Sequence, residues 1–117
     1  MKNKLYESIS IRLYQEGKGF GPGIAELLER VQEHHSLRAA AQSMAMAYSK
    51  AWTMVKNCET ALGRKLLCYT TGGRHGGGAE LTEDAEQMLR AYRDYCEAVR
   101  TEADKLFPAY FGPFLED

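Results

Sequence analysis

No stretch of the 117 residues approaches the run of about eighteen apolar side chains that a membrane-crossing helix requires. The opening segment, MKNKLYESISIRLYQE, has no continuous apolar core of the secretion-signal kind, so a cytoplasmic protein is expected. Cysteine is scarce. Cys58, Cys68 and Cys96 are odd in number, widely spaced and without a CxxC pair, and no His/Cys cluster has metal-ligand spacing. Reduced, buried thiols and no metal are expected. The phosphate-cradling pattern G-x-x-x-x-G-K-[ST] is missing, as is a G-x-G-x-x-G between a strand and a following helix. His34 and His35 adjoin Ser36 with no matched acid and read as partners of a helix C-terminal dipole. With no Ser/His/Asp set and no paired carboxylates beside a pocket, neither an enzyme nor a bound cofactor is expected.

What is present is an uneven distribution of charge. The net charge is −1, but residues 1–35 balance to zero, residues 36–75 carry +5 and residues 76–117 carry −6. The basic middle holds Arg38, Lys50, Lys56, Arg64, Lys65 and Arg74 against the single acid Glu59. Such asymmetry marks a local face for a polyanion. Within it, TTGGRHGGGAELTEDAE (70–86) sets five glycines around Arg74 and His75. Glycine permits positive φ and lets backbone N–H groups approach phosphate without a Cβ in the way.

Periodicity orders the chain. Alternation ending in Ile9, Ile11 and Leu13 predicts a half-buried strand over 4–14, broken by 17-GKGFGPG-23. Pro22 suits a first helical position, and Ile24, Leu27, Leu28 and Val31 follow at helical spacing, giving a helix over 22–34. Ser36 caps a short alanine-rich helix, 37–44. After a break at 45–47, a third helix runs from 48 to 62 with Ala51, Val55, Cys58 and Leu62 inward, and Gly63 stops it. Strands at 66–71 and 79–81 flank the glycine hairpin. Thr82 caps a last helix of about 25 residues, roughly 37 Å long, with acids in its first turn. Its apolar seam, Ala85, Met88, Tyr92, Tyr95, Val99 and Leu106, is longer than so small a body covers and calls for a second copy. The segment 108–117, with two prolines, reads as a broken tail.

The fold class is mostly α with a small β wing: a winged helix-turn-helix, residues 1–82, joined to a dimerisation helix and tail, residues 83–117, in one structural domain. In such a fold the short helix supports the next one, whose exposed side enters the major groove of double-stranded DNA. Tyr48, Ser49, Lys50 and Thr53 are placed to read bases, Lys50 foremost as a guanine or phosphate contact. Ser36, Arg38 and Lys56 extend that face, Asn57 lies deeper toward the backbone, and Arg74 and His75 bring the wing to phosphate or the minor groove. Trp52 reads as an anchor packed between reader helix and wing. Met88, Tyr92, Tyr95, Val99 and Leu106 are the expected dimer contacts. The rival expectation is a winged-helix protein-interaction module without DNA binding, suggested by Tyr110, Phe111 and Phe114.

The pieces S-x-R-A-A-A (36–41), Y-x-x-A-W (48–52) and T-G-G-x-x-G-G-G-x-x-L-T (71–82) carry a family likeness. Over about residues 5–95 the chain resembles the DNA-binding domain of the ModE family, molybdate-dependent transcriptional regulators distantly similar to LysR-type ones. The resemblance implies a homodimeric winged-helix domain on a pseudo-palindromic operator. By position, Ser49 and Lys50 fall on the family's reader helix and Arg74 on its wing. The family usually has a capping serine at the position of Ala47 and often a glycine near Ala45. Its full-length members carry C-terminal molybdate-binding domains, which these 117 residues do not offer, so molybdate sensing is not expected of this chain.

Overall fold

The computed structural model describes residues 5–70 and 77–115. The expected fold class is present: a helix-turn-helix unit with two small hairpins and a long final helix. The first hairpin pairs β1 (Leu13–Gln15) with β2 (Lys18–Phe20), antiparallel, with Leu13 opposite Phe20. Here the sequence expectation needs correcting. Residues 5–12 form no strand, and the GKGF segment, expected to be a break, is the returning strand. A strand needs a ladder partner, and this hairpin offers only three residues. Glu16 and Gly17 turn it at positive φ. At Gly19 a Cβ would stand 1.6 Å from the Leu13 carbonyl oxygen, so only glycine lets the two backbones pass.

Pro22 opens α1 (Pro22–His34), whose Leu27, Leu28 and Val31 are fully buried. The chain reverses at His35, which is left-handed at φ 57° and returns its N–H to the Val31 carbonyl. Helix α2 (Leu37–Ser43) follows and packs against α1 through Leu37, Ala40 and Ala41, whose small side chains permit close approach. Ser36 caps it by accepting a 3.0 Å bond from the Ala39 N–H. The turn into α3 (Tyr48–Leu62) puts Ala45 at φ 54°. Met46 N–H then reaches back 2.9 Å to the Ala41 carbonyl. Gly63 ends α3 in the left-handed conformation.

The second hairpin pairs β3 (Leu67–Tyr69) with β4 (Ala79–Leu81). One buried acid fixes its start. Glu59, in the last turn of α3, accepts from the N–H groups of Leu66 at 2.8 Å and Leu67 at 3.4 Å. On the other edge, Ala79 N–H donates to the His35 carbonyl, and His35 Nδ1 lies 2.8 Å from a Glu80 carboxylate oxygen. His35 thus ties the end of α1 to the wing, which is more than the dipole role expected of it.

Thr82 caps α4 (Glu83–Phe111) as expected, accepting from Ala85 N–H. The helix is longer than the expected 25 residues. It runs through Pro108, where a proline costs one backbone bond, and passes into a 3-10 turn at Gly112–Phe114. Only Ala85, Leu89 and Tyr92 of α4 are buried, all within its first three turns. Tyr92 therefore corrects the expected dimer seam. Its ring meets Phe20 edge-on at 5.1 Å, and its hydroxyl donates to the Ile11 carbonyl at 2.7 Å, inside the chain's own body. Beyond it Cys96 still packs on the core and residues 7–11 line α4 as far as Asp104, and the molecule measures 61 × 33 × 22 Å.

Substitutions at two positions test these local arguments. Ala45→Gly removes a Cβ from a left-handed site and should stabilise the protein by about 0.5–1 kcal/mol, net of glycine's added chain entropy. Glu59→Ala leaves two buried N–H groups without their acceptor and should cost about 2–3 kcal/mol, with Glu59→Gln costing less. Urea unfolding of wild type and the three variants side by side reads both effects.

Candidate nucleic-acid interface

Because Ala51, Val55 and Cys58 turn α3 inward, the opposite side is left to solvent. Ser49, Lys50, Thr53 and Asn57 are all exposed there. Ala47 supplies no capping oxygen, so the first N–H groups of α3 have no side-chain partner. Arg38, exposed on α2, lays its guanidinium 4.2 Å from the Tyr48 ring centroid, fixing a cation at the start of the same helix. Ser36 spends its hydroxyl as the cap of α2 and stays half-buried.

Lys56 is held rather than free. Its ammonium lies 3.4 Å from Glu59, 5.4 Å from the Trp52 ring centroid and 5.9 Å from that of Tyr69. Trp52 is 45% exposed, so it is not the packed anchor expected between reader helix and wing. At its helix angle the indole lies on the flank of α3, outside the core, and the lysine sits over it instead. Burial, and after it the Glu59 carboxylate, holds the Tyr69 phenol above its ordinary range. The same two causes push the Cys58 thiol up to about 11. Cys58 is buried as expected, whereas Cys68 is exposed and Cys96 half-buried.

Other cations are spent on structure. Arg64 meets Asp84 at 3.2 Å, Arg30 meets Glu26 at 2.7 Å, and Arg93 forks onto Glu29 at 2.7 and 2.8 Å. Arg38 and Lys50 make no such pair with a carboxylate of the described residues. The wing's base is closed by Thr70, whose backbone exchanges bonds with Gly78 and whose Oγ1 accepts from Gly78 N–H at 2.8 Å. Arg74 and His75 lie outside the described residues.

The structure thus gathers Arg38, Tyr48, Ser49, Lys50, Thr53 and Lys56 on one side of the helix-turn-helix. Of the expected seam, Tyr95 and Leu106 are exposed, Met88 and Val99 half-buried, and Tyr92 is withdrawn into the core. Sequence reasoning missed Glu59 and Tyr69. The signal for Glu59 was its isolation, as the one acid in a basic stretch at a helix end.

Comparison with known proteins agrees with this geometry. The family model described as bacterial regulatory helix-turn-helix protein, lysR family, matches residues 25–86, from α1 into the first turn of α4. The transcriptional regulator ModE of Haemophilus influenzae is 33% identical over 84 residues, 72% of this chain and 32% of its own length. The molybdenum-pterin-binding protein MopB of Rhodobacter capsulatus is 31% identical over 80 residues, 68% of this chain and 30% of its own. ModE of Yersinia pestis is 32% identical over 66 residues, 56% of this chain and 25% of its own. The chain thus spans a third or less of the length of these relatives. The family is one of regulators rather than enzymes, and its match rests on the elements that build the exposed face of α3. This chain belongs to the LysR-type family of bacterial regulatory helix-turn-helix proteins.

Proposed function

We propose that the chain is a sequence-specific DNA-binding transcriptional regulator acting as a homodimer. Its reader is α3 in the major groove, with the glycine-rich wing on the neighbouring backbone or minor groove. One observation carries the reading. Between residues 36 and 70 the only acidic side chain is Glu59, and it is buried, so this segment presents Lys50 and Arg38 with no exposed carboxylate of its own to repel a phosphate. Ser49, Lys50 and Thr53 supply hydrogen-bonding groups of groove-reading length, and Lys50 suits a guanine O6/N7 edge. The uncapped start of α3 suits a phosphate oxygen. Arg74 and His75 complete the grip from the wing. Two of the relatives are named transcriptional regulators, which supports the regulatory role. Molybdate sensing is not part of this proposal.

The homodimer rests on α4. Past Tyr92 the helix keeps Cys96 against the core and residues 7–11 along one side, while Tyr95 and Leu106 stay exposed, and a second copy is the simplest cover for them. Two reader helices in such a dimer would meet major grooves about 34 Å apart. The exposed Tyr110, Phe111 and Phe114 favour a second reading, an interaction module that binds another protein and not DNA.

Binding to promoter DNA should weaken steeply with salt. Lys50→Ala should cost about 1–3 kcal/mol on the selected sequence and relax discrimination. Arg74→Ala should weaken all sequences alike and lower the salt slope by about one. Anisotropy titrations over a salt series measure this, and a chain inert toward DNA would favour the interaction module. Independently, Tyr95→Glu with Leu106→Glu should convert a dimer into a folded monomer, followed by light scattering after gel filtration. An unchanged mass would remove α4 from the interface.

A further inference from the structure

The reader face holds one large side chain that neither the core nor the hydrogen-bonding account employs. Trp52 stands in the second turn of α3, one turn from Tyr48 and one from Lys56, on the flank beside β3. It is nearly half exposed, and the Lys56 ammonium above its ring is itself pinned by Glu59. A broad apolar surface is thereby displayed with its orientation restrained, next to Ser49 and Thr53. We propose that Trp52 reads thymine: its indole contacts thymine 5-methyl groups along the wing-side edge of the major groove, giving the operator a thymine preference at those steps. This inference rests on the DNA-binding reading above and adds to it the base class that one residue selects.

The chemistry follows from what a duplex exposes. Paired, stacked bases hide their ring faces, so an indole cannot intercalate from a helix lying in the groove without unstacking them. Hydrogen-bonding edges want donors and acceptors, which Ser49, Thr53 and Lys50 provide. The apolar group on the groove floor is the thymine methyl, and it asks for an apolar partner. An indole that only donated its N–H to phosphate would show no such preference, and that rival separates cleanly in the test.

The duplex recovered from genomic fragments by the wild-type protein is remade with deoxyuridine in place of thymidine, which removes the methyls and keeps the pairing edges. Affinities for both duplexes are measured with wild type, Trp52→Ala and Trp52→Phe. Wild type should lose about fourfold in affinity for each contacted methyl removed. Trp52→Ala should bind the two duplexes equally and Trp52→Phe should retain part of the difference. As the chain's single tryptophan, Trp52 also reports on itself. Its emission should be quenched by the thymine duplex and differ with the uracil duplex, which keeps the test readable in wild type alone if a variant fails to fold. Equal wild-type affinity for both duplexes overturns the inference while leaving DNA binding intact, as does undiminished discrimination by folded Trp52→Ala or unchanged emission at saturation. Binding to neither duplex brings down the DNA-binding reading and this inference with it.

Discussion

The carboxylate of Glu59 is the constraint on which the junction between α3 and the wing depends. One oxygen accepts from the N–H groups of Leu66 and Leu67, where the wing strand begins, and the other holds Lys56, which in turn lies over Trp52 and near Tyr69. A charge buried to 8% exposure is tolerable only because those partners replace its water. The same residue therefore does three things. It joins α3 to the wing, orders Lys56 beside Trp52 and Tyr69, and withdraws the only acid of residues 36–70 from the surface that carries Arg38 and Lys50. An exposed acid here would weaken the attraction for phosphate, and an apolar residue would leave the wing strand's start unpaired.

Where the sequence was legible, a local rule and the tertiary environment agreed. The helices Pro22–His34 and Tyr48–Leu62 begin and end where the apolar spacing, Pro22 and Gly63 say they should. Ser36 and Thr82 cap as their side chains allow. Ala47 leaves α3 without a side-chain cap, and Ala45 adopts the left-handed conformation that glycine would hold more cheaply. The illegible parts were decided by partners distant in sequence. Alternation at Ile9, Ile11 and Leu13 looks like a strand, but a strand exists only where another backbone lies beside it, and only Leu13–Gln15 has one. Tyr92 fits a seam by spacing, yet Phe20 and the Ile11 carbonyl claim it. Trp52 fits an anchor by type, but its helix angle turns it to the flank.

Charge pairing separates structural cations from available ones in a way that counting cannot. Arg64, Arg30 and Arg93 all contribute to the formal balance, yet each faces a carboxylate that also joins two elements or two turns. Such exposed pairs contribute little to stability, of the order of 0–1 kcal/mol each. Their effect on the field is larger, because each pair neutralises a charge that would otherwise count toward the surface potential. Arg38 and Lys50 keep their charge free of such a pair among the described residues. Of the ten carboxylates of residues 76–117, seven lie on α4, away from α2 and α3 in the chain, and Glu80, on β4, faces His35.

A reader helix alone is a weak instrument: a single module covers roughly 600–1,000 Å² of its own surface on DNA. Doubling it raises affinity only if the two copies are held at a fixed separation, because a flexible link dilutes the gain. The connection from α3 to α4 passes through the second hairpin, and its two ends are fastened at several points. Thr82 donates its hydroxyl to the Lys65 carbonyl at 2.7 Å and its N–H to the Leu66 carbonyl at 2.9 Å. Arg64 meets Asp84, and Ala85, Leu89 and Tyr92 are rooted in the core that also holds Val55 and Cys58. The direction of α4 is therefore tied to that of α3 through hydrogen bonds and packing rather than a hinge. If α4 forms the interface between copies, the separation of the two readers follows from the fold of each, and a fixed operator spacing comes from the joint at Lys65–Ala85.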